Sequence, residues 1–252
     1  MDAGQIAMVA GAAFAGGAIN AIAGGGSLVT FPTLVAVGLP PVLASVTNTV
    51  ALCPGYLGAT IAQRGLIKPQ RRRLALLVPA GAVGGALGAY LLLHTSARAF
   101  DVIVPFLILV AALLVGAQDW LRRRLLARVA AHRAEALAML TVGAAAIYGG
   151  YFGAGLGVMI LAALGAIIGD ELPRLNALKQ AVSLSVNVTA ALAFVIWAHD
   201  SVDWTITAIM AGAALAGGAA GGALASRIPA RALRVLIVIF GVSVAGVYFT
   251  RL

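Results

Sequence analysis

The chain has one cysteine, few aromatic residues and little charge. A single thiol excludes an intramolecular disulfide and a cysteine-based metal site, so Cys53 reads as a small apolar packing residue. Phe, Trp and Tyr supply only 6% of the 252 residues. That scarcity argues against an outer-membrane barrel, which needs alternating strands and aromatic girdles. Charged residues reach 10%, where soluble domains carry about a quarter. A chain that is 62% hydrophobic with mean hydropathy +1.04 must therefore present a surface to lipid. Carboxylates are scarcest where they would matter most. Asp2, Asp101, Asp119, Glu135, Asp170, Glu171, Asp200 and Asp203 all fall in loops or at segment ends, as do His94, His132 and His199. No embedded cluster remains to bind a metal or to pair a nucleophile with a base. An enzyme or an assembly scaffold is disfavoured, and no catalytic residue, metal or cofactor is expected. The first residues, Met1 to Gln5, lack the basic region of a signal peptide, so none is expected.

Glycine is abundant, at 31 positions, and in lipid small residues let helix backbones approach closely. An all-α bundle follows. Apolar runs cover Ile6 to Ala23, Leu28 to Val37, Val42 to Ala62, Leu74 to Leu93, Ala99 to Ala117, Ala134 to Tyr148, Val158 to Ile168, Leu175 to Ala198, Trp204 to Ala225 and Ala232 to Phe249. A full span takes about 20 residues, whereas Leu28 to Val37 and Val158 to Ile168 stop near mid-membrane. The net charge of +9 sits in three clusters between spans: Arg64, Lys68 and Arg71 to Arg73; Arg122 to Arg124, Arg128 and Arg133; and Arg227, Arg231 and Arg234. This is the pattern of cytoplasmic loops and not of a nucleic-acid face. Parity between clusters then makes Ala134 to Ile168 a hairpin entering from the cytoplasm and Ile6 to Val37 its counterpart from outside, with the N-terminus outside. A first arm that spans fully is the alternative.

Self-comparison yields collinear matches. Ala23-Gly24-Gly25-Gly26 matches Ala154-Gly155-Leu156-Gly157 at an offset of 131, while Leu39-Pro40, Gly84-Gly85, Gly88 and Ala97-Arg98 find mates at 133. One membrane domain, 1–252, is thus expected to hold repeat 1 (1–118), a basic cytoplasmic connector (119–133) and repeat 2 (134–252). Each repeat has a glycine-broken re-entrant hairpin plus three transmembrane helices. The basic loop Arg64 to Arg73 answers to His199 to Asp203, which has no Lys or Arg, so the repeats run in opposite senses. Inverted repeats place substrate between them near the midplane.

The breaks carry the chemistry. Gly24, Gly25 and Gly26 interrupt a helix cheaply, and Ser27 suits the N-cap of the next. Freed N–H groups and the positive end of a short helix attract an anion. Gly153, Gly155 and Gly157 repeat this without a serine. The competing reading of these glycines is tight helix crossing, the role assigned to Gly81, Gly84, Gly85 and Gly88. Lys179 is the one charge clearly inside a span: it either snorkels to the interface or faces the cavity as counter-charge to an anion. Asn20, Thr47, Asn48, Thr49, Gln180, Ser183 and Asn187 join it as candidate contacts, the last three sharing a helix face. Arg98 and Arg231 are interfacial anchors.

The runs Ala23-Gly24-Gly25-Gly26-Ser27-Leu28-Val29-Thr30-Phe31-Pro32, Gly153-Ala154-Gly155-Leu156-Gly157 and Arg174-Leu175-Asn176-Ala177-Leu178-Lys179 resemble the TauE/SafE sulfite exporters of bacteria and archaea. The resemblance extends over nearly the whole chain. It implies transport of sulfite, sulfoacetate or another organosulfonate across the bacterial inner membrane. The chain departs from the family-like Gly-Thr-Asn, carrying Val46-Thr47-Asn48 instead, which leaves the anion open. A passive anion channel is the alternative to a secondary carrier. The partners expected are a small anion and the bilayer, with no nucleic acid; the exposed Gly faces are compatible with a homodimer.

Overall fold

The computed structural model describes residues 1–124, 131–225, 227 and 230–249. The connector expected at 119–133 lies largely outside them, as do the side chains of Arg122, Arg123, Arg124, Arg128, Arg133, Arg231 and Arg234. Among the described residues there is no strand. The helices are α1 (Ala3–Ile22), α2 (Ser27–Ala36), α3 (Pro41–Ala62), the short α4 (Arg64–Ile67), α5 (Arg71–Leu93), α6 (Ala97–Arg124), α7 (Ala131–Tyr151), α8 (Leu156–Ile168), α9 (Leu172–Trp197), α10 (Trp204–Leu224) and α11 (Ala230–Phe249). Within the described chain, six segments are long and apolar enough to cross a bilayer, including α1 and the α4–α5 run Arg64–Leu93. The protein is a multi-pass, all-helical membrane protein.

At 20 residues α1 is about 30 Å long, the length of a full span, and α7 with 21 residues matches it. The second arms are short: α2 has 10 residues and α8 has 13, about 15 and 20 Å. Gly16 of α1 faces Thr30 and Gly26, so α2 folds back along the helix that precedes it.

The long helices order themselves between two ends. One end gathers basic side chains: Arg73 pairs with Asp170 at 2.6 Å, Arg72 with Glu135 at 3.1 Å, and Gln70 reaches the Arg174 carbonyl at 3.0 Å. At the other end Tyr151 meets Thr95, and the Asp203 N–H donates to Thr47. Helices α3 and α9 cross in antiparallel fashion, with Thr47 near Asp203, Tyr56 within hydrogen-bonding reach of Asn187, and Gln63 bonded to Asn176.

Packing pairs off in a regular way. Helix α10 lies against α1 and α3, as α5 lies against α7 and α9. The contacts are backbone on backbone. Gly217 and Gly221 rest on Phe14 and Ala18 of α1, and Gly218 on the Gly55 carbonyl of α3. Across the molecule Gly84 and Gly88 rest on Gly143 and Ile147 of α7, and Gly85 on the Val186 carbonyl of α9. Two four-helix groups result, each borrowing one helix from the other half of the chain. The α6–α11 pair lies beside them.

The ends of α1 and α7 also match. Ala23 and Gly24 both donate to the Ile19 carbonyl, while Phe152 and Gly153 both donate to that of Tyr148. In this hydrogen-bond pattern Gly24 and Gly153 stand at like places 129 residues apart, against the offset of 131 at which the glycine strings match. Glycine strings match at several registers, whereas terminal hydrogen bonds fix one.

A Cβ on Gly218 would collide with the Gly55 carbonyl, and no side-chain rotation relieves backbone. Gly218→Val is expected to destabilise the protein by at least about 1–3 kcal/mol. Gly212→Ala, with nothing within 4 Å, should be near neutral, within about 0.5 kcal/mol. Thermal unfolding of the purified proteins in detergent separates the two. At the basic end, the hydrogen bond from Arg73 and then the Glu171 N–H hold the Asp170 carboxyl below its ordinary value, although burial opposes them. A depressed carboxylate stabilises above its unfolded pKa and loses that contribution as pH falls through the lower, folded value. Acidification through and below the usual carboxylate range should thus lower the melting temperature, and Asp170→Asn should remove that part of the pH dependence.

Candidate functional site

Helix α1 ends inside the protein, leaving its last carbonyls without intrahelical donors. Helix α9 supplies the missing donors. Lys179 Nζ donates to the Asn20 carbonyl at 2.8 Å, Gln180 Nε2 to the same oxygen at 3.1 Å, and Asn176 Nδ2 to the Ala21 carbonyl at 3.0 Å. The side chain of Asn20 serves the other side of the break, its Oδ1 accepting from the Gly26 N–H at 2.7 Å. One asparagine thereby ties the end of α1 to the start of α2.

The conformations at the break require glycine. Gly24 and Gly25 have φ of 80° and 91°, and at the second break Gly153 and Gly155 have 79° and 78°. This left-handed region is costly for residues with a Cβ. The two breaks meet: a Cβ on Gly157 would lie 3.1 Å from the Gly24 Cα and 3.7 Å from Lys179 Nζ. Gly157 lies 11 residues from Ile168 and Lys179 seven from Leu172, so the meeting point is about 10–16 Å from the basic end, within the span.

Lys179 is fully buried, as are Gln180 and Ser183, so the snorkelling alternative does not hold. Among the described residues no carboxylate pairs with its ammonium. The structure thus brings Asn20, Gly24, Gly25, Gly26, Gly157, Lys179 and Gln180 into one cluster, with Ser183 one helical turn along α9.

Other candidates are placed elsewhere or act differently. Ser27 is not the N-cap: the chain is already right-handed helical at Gly26, which takes that position with no side-chain cap. Thr47 lies at the far end, its hydroxyl accepting from Asp203 N–H at 3.0 Å, and Thr49 turns back on the Ser45 carbonyl of its own helix. Asn48 is buried with its Oδ1 unpartnered, and Asn187 bonds the Ser183 carbonyl within its helix. The antiparallel crossing explains the separation. Thr47 lies nine residues before Tyr56, and Lys179 eight before Asn187, so they point to opposite ends.

Asn176 and Gln63 belong to the cluster and carry no candidate status in the sequence reading. The signal was present, since Asn176, Gln180, Ser183 and Asn187 form one continuous stripe at helical spacing. A cleft of about 300 Å³ lined by Arg73, Leu76, Leu77, Glu135, Ala138 and Ile168 opens at the basic end and contains none of these residues. Within the cluster Lys179, Gln180 and Ser183 are fully buried.

Residues 9–249 match the family model described as sulfite exporter TauE/SafE. Among curated proteins, the chain is 29% identical over 199 residues to the probable membrane transporter protein YfcA of Escherichia coli, covering 74% of this chain and 70% of that one. A probable membrane transporter protein of Haemophilus influenzae is 26% identical over 210 residues, with 79% and 76% covered. The probable membrane transporter protein ORF9 of a Sinorhizobium species is 28% identical over 240 residues, with 93% and 88% covered. No solved structure matches.

Two substitutions should differ in sign. Asn20→Ala leaves the buried Gly26 N–H without its acceptor and is expected to cost about 1–3 kcal/mol. Lys179→Met removes a buried ammonium that has no carboxylate partner, while Gln180 keeps the Asn20 carbonyl satisfied. It should leave stability unchanged or raised, because replacing an uncompensated buried charge by an apolar side chain of similar size relieves desolvation. Melting curves in detergent for both variants check this; a large loss in Lys179→Met would make the lysine a purely structural cap.

Proposed function

The chain belongs to the sulfite exporter TauE/SafE family, and on that premise we propose that it is a secondary transporter that exports a small sulfur-containing anion, such as sulfite or an organosulfonate. The observation that carries the substrate's sign is Lys179. An ionisable side chain wholly buried within a span, beside two helix breaks, marks a transport site by default. The start of α2, whose Gly26 N–H is held by Asn20 Oδ1, brings the positive dipole end of that helix to the same region, which favours an anion.

The substrate-binding set is proposed as Asn20, Gly24, Gly25, Gly26, Lys179, Gln180 and Ser183 on one side, with Gly153, Gly155 and Gly157 at the facing break. Ser27, Thr47, Asn48, Thr49 and Asn187 lie outside this set. We read the paired contacts of α10 with α1 and α3, and of α5 with α7 and α9, as the trace of two inverted repeats, 1–118 and 134–252, each with a re-entrant second arm. The basic end, with Arg64, Lys68, Arg71 to Arg73, Arg174 and Arg227, is assigned to the cytoplasm of the bacterial inner membrane. Helix α1 starts at the other end, which puts the N-terminus outside. A fully buried lysine between helix groups joined by narrow glycine seams suits alternating access better than a standing pore.

Reconstitution into liposomes tests this directly, using radiolabelled sulfite, sulfate and organosulfonates with and without an imposed pH gradient. Lys179→Ala is expected to reduce flux about tenfold or more, the loss corresponding to hydrogen bonds to a charged group. Uphill accumulation driven by an ion gradient excludes a passive channel, and undiminished flux in the variant removes Lys179 from the site.

A further inference from the structure

Beside the Lys179 ammonium lie polar atoms with no hydrogen-bond partner among the described residues, and two of them accept only. Gln180 is fully buried: its Nε2 donates to the Asn20 carbonyl and its Oε1 has no donor. Asn176, 8% exposed, donates from Nδ2 to the Ala21 carbonyl and to Gln63 Oε1, while its Oδ1 has no donor. Backbone carbonyls cannot donate, so neither amide can be turned round without setting oxygen against oxygen. The orientation of both acceptors is fixed by the end of α1. The hydroxyl of Ser183, three residues beyond Gln180 on the same face, is also buried and unpartnered.

Lys179 Nζ and Gln180 Nε2 share one oxygen, so the ammonium and the amide lie side by side. An ammonium carries three donors, and the hydrogen bond it makes here goes to the Asn20 carbonyl. The cluster thus presents a positive donor next to fixed acceptors, with the unpartnered Nε2 of Gln63 a further donor beside Asn176. A fully deprotonated oxyanion only accepts, and it would set its lone pairs against Gln180 Oε1. A metal cation would satisfy the acceptors but would lie against the ammonium. A monoanion that still bears an O–H matches both kinds of atom.

We propose that the site binds its oxyanion in the hydrogen-bearing, singly charged form. The O–H donates to Gln180 Oε1, with Asn176 Oδ1 or Ser183 Oγ as further acceptor, and the charged oxygen faces Lys179. Each anion then crosses with a proton attached, and that proton is released on the far side wherever the solution favours the dianion. This inference rests on the anion-transport reading above and adds the protonation state of the substrate.

The test uses the full chain in liposomes that trap a pH-sensitive dye, with equal pH on both sides and radiolabelled sulfite. Half-saturation expressed as total sulfite should rise with pH by about tenfold per unit once the dianion predominates, while the value for hydrogensulfite alone stays constant. Sulfite entry should acidify the lumen. Methanesulfonate, which has no O–H and does not titrate in this range, should inhibit weakly and independently of pH. In Gln180→Met the pH dependence of half-saturation should flatten; if that variant does not fold, the wild-type series and the dye decide. A half-saturation in total sulfite that stays flat with pH overturns the proposal, and so does methanesulfonate inhibition that weakens in parallel with sulfite uptake, since titration of the protein would then explain the profile. Absence of flux for sulfite, sulfate and organosulfonate at every pH overturns the transport reading itself.

Discussion

A helix that stops within a bilayer needs donors for its last carbonyls, and lipid offers none. In this protein the end of α1 is held by three neighbouring residues of α9, with Lys179 and Gln180 on the Asn20 carbonyl and Asn176 on that of Ala21. The rest of the centre depends on that grip. It fixes where α1 stops, and hence where Asn20 receives the Gly26 N–H and where α2 begins. It also joins α1, which packs with α3 and α10, to α9, which packs with α5 and α7. Relative motion of the two helix groups must act on these bonds.

Such an arrangement tolerates few side chains around it. With left-handed glycines at both breaks and Gly24 against Gly157, the two breaks approach to backbone contact. A Cβ at either position would push them apart and open the lysine to the seam between them. The same economy recurs along α5 and α10, where glycines rest on carbonyls of the adjacent helices. Close seams of this kind hold by dispersion and geometry, because lipid supplies no hydrophobic drive between helices.

Much of this was legible in the sequence. The half-length arms, read as Leu28 to Val37 and Val158 to Ile168, became α2 (Ser27–Ala36) and α8 (Leu156–Ile168), because apolar length against membrane thickness is a strong constraint. Lys179 stood out because charge within a span is rare. Three things were not legible. Self-comparison pairs equivalent residues and is silent on which elements touch, so it could not show α10 beside α1 or α5 beside α7. Self-comparison puts Thr47 and Lys179 at related places, but the antiparallel crossing at Tyr56 and Asn187 sends them to opposite ends. Asn176, quoted only within the run that carries the resemblance, received no site role because an asparagine near a helix start is ordinary; its value lies in a carbonyl 155 positions away.

The lysine's environment explains why a lone buried charge can persist there. Its partner is the negative end of α1, which carries about half an elementary charge. That end also receives the amide donors of Gln180 and Asn176, so its potential is already partly satisfied before the ammonium is counted. The ammonium is therefore under-compensated: held in place by a hydrogen bond, yet short of a full negative charge. A carboxylate on a neighbouring helix would have completed the pair and made the interior electrically finished, with nothing left for a ligand to gain. Among the described residues no such carboxylate exists, and the polar atoms that face the deficit are neutral. Neutral acceptors soften a positive site without cancelling it. The composition that first marked this chain as unable to live in water, with its acidic residues confined to the ends of its spans, is the same condition that leaves the centre short by one negative charge.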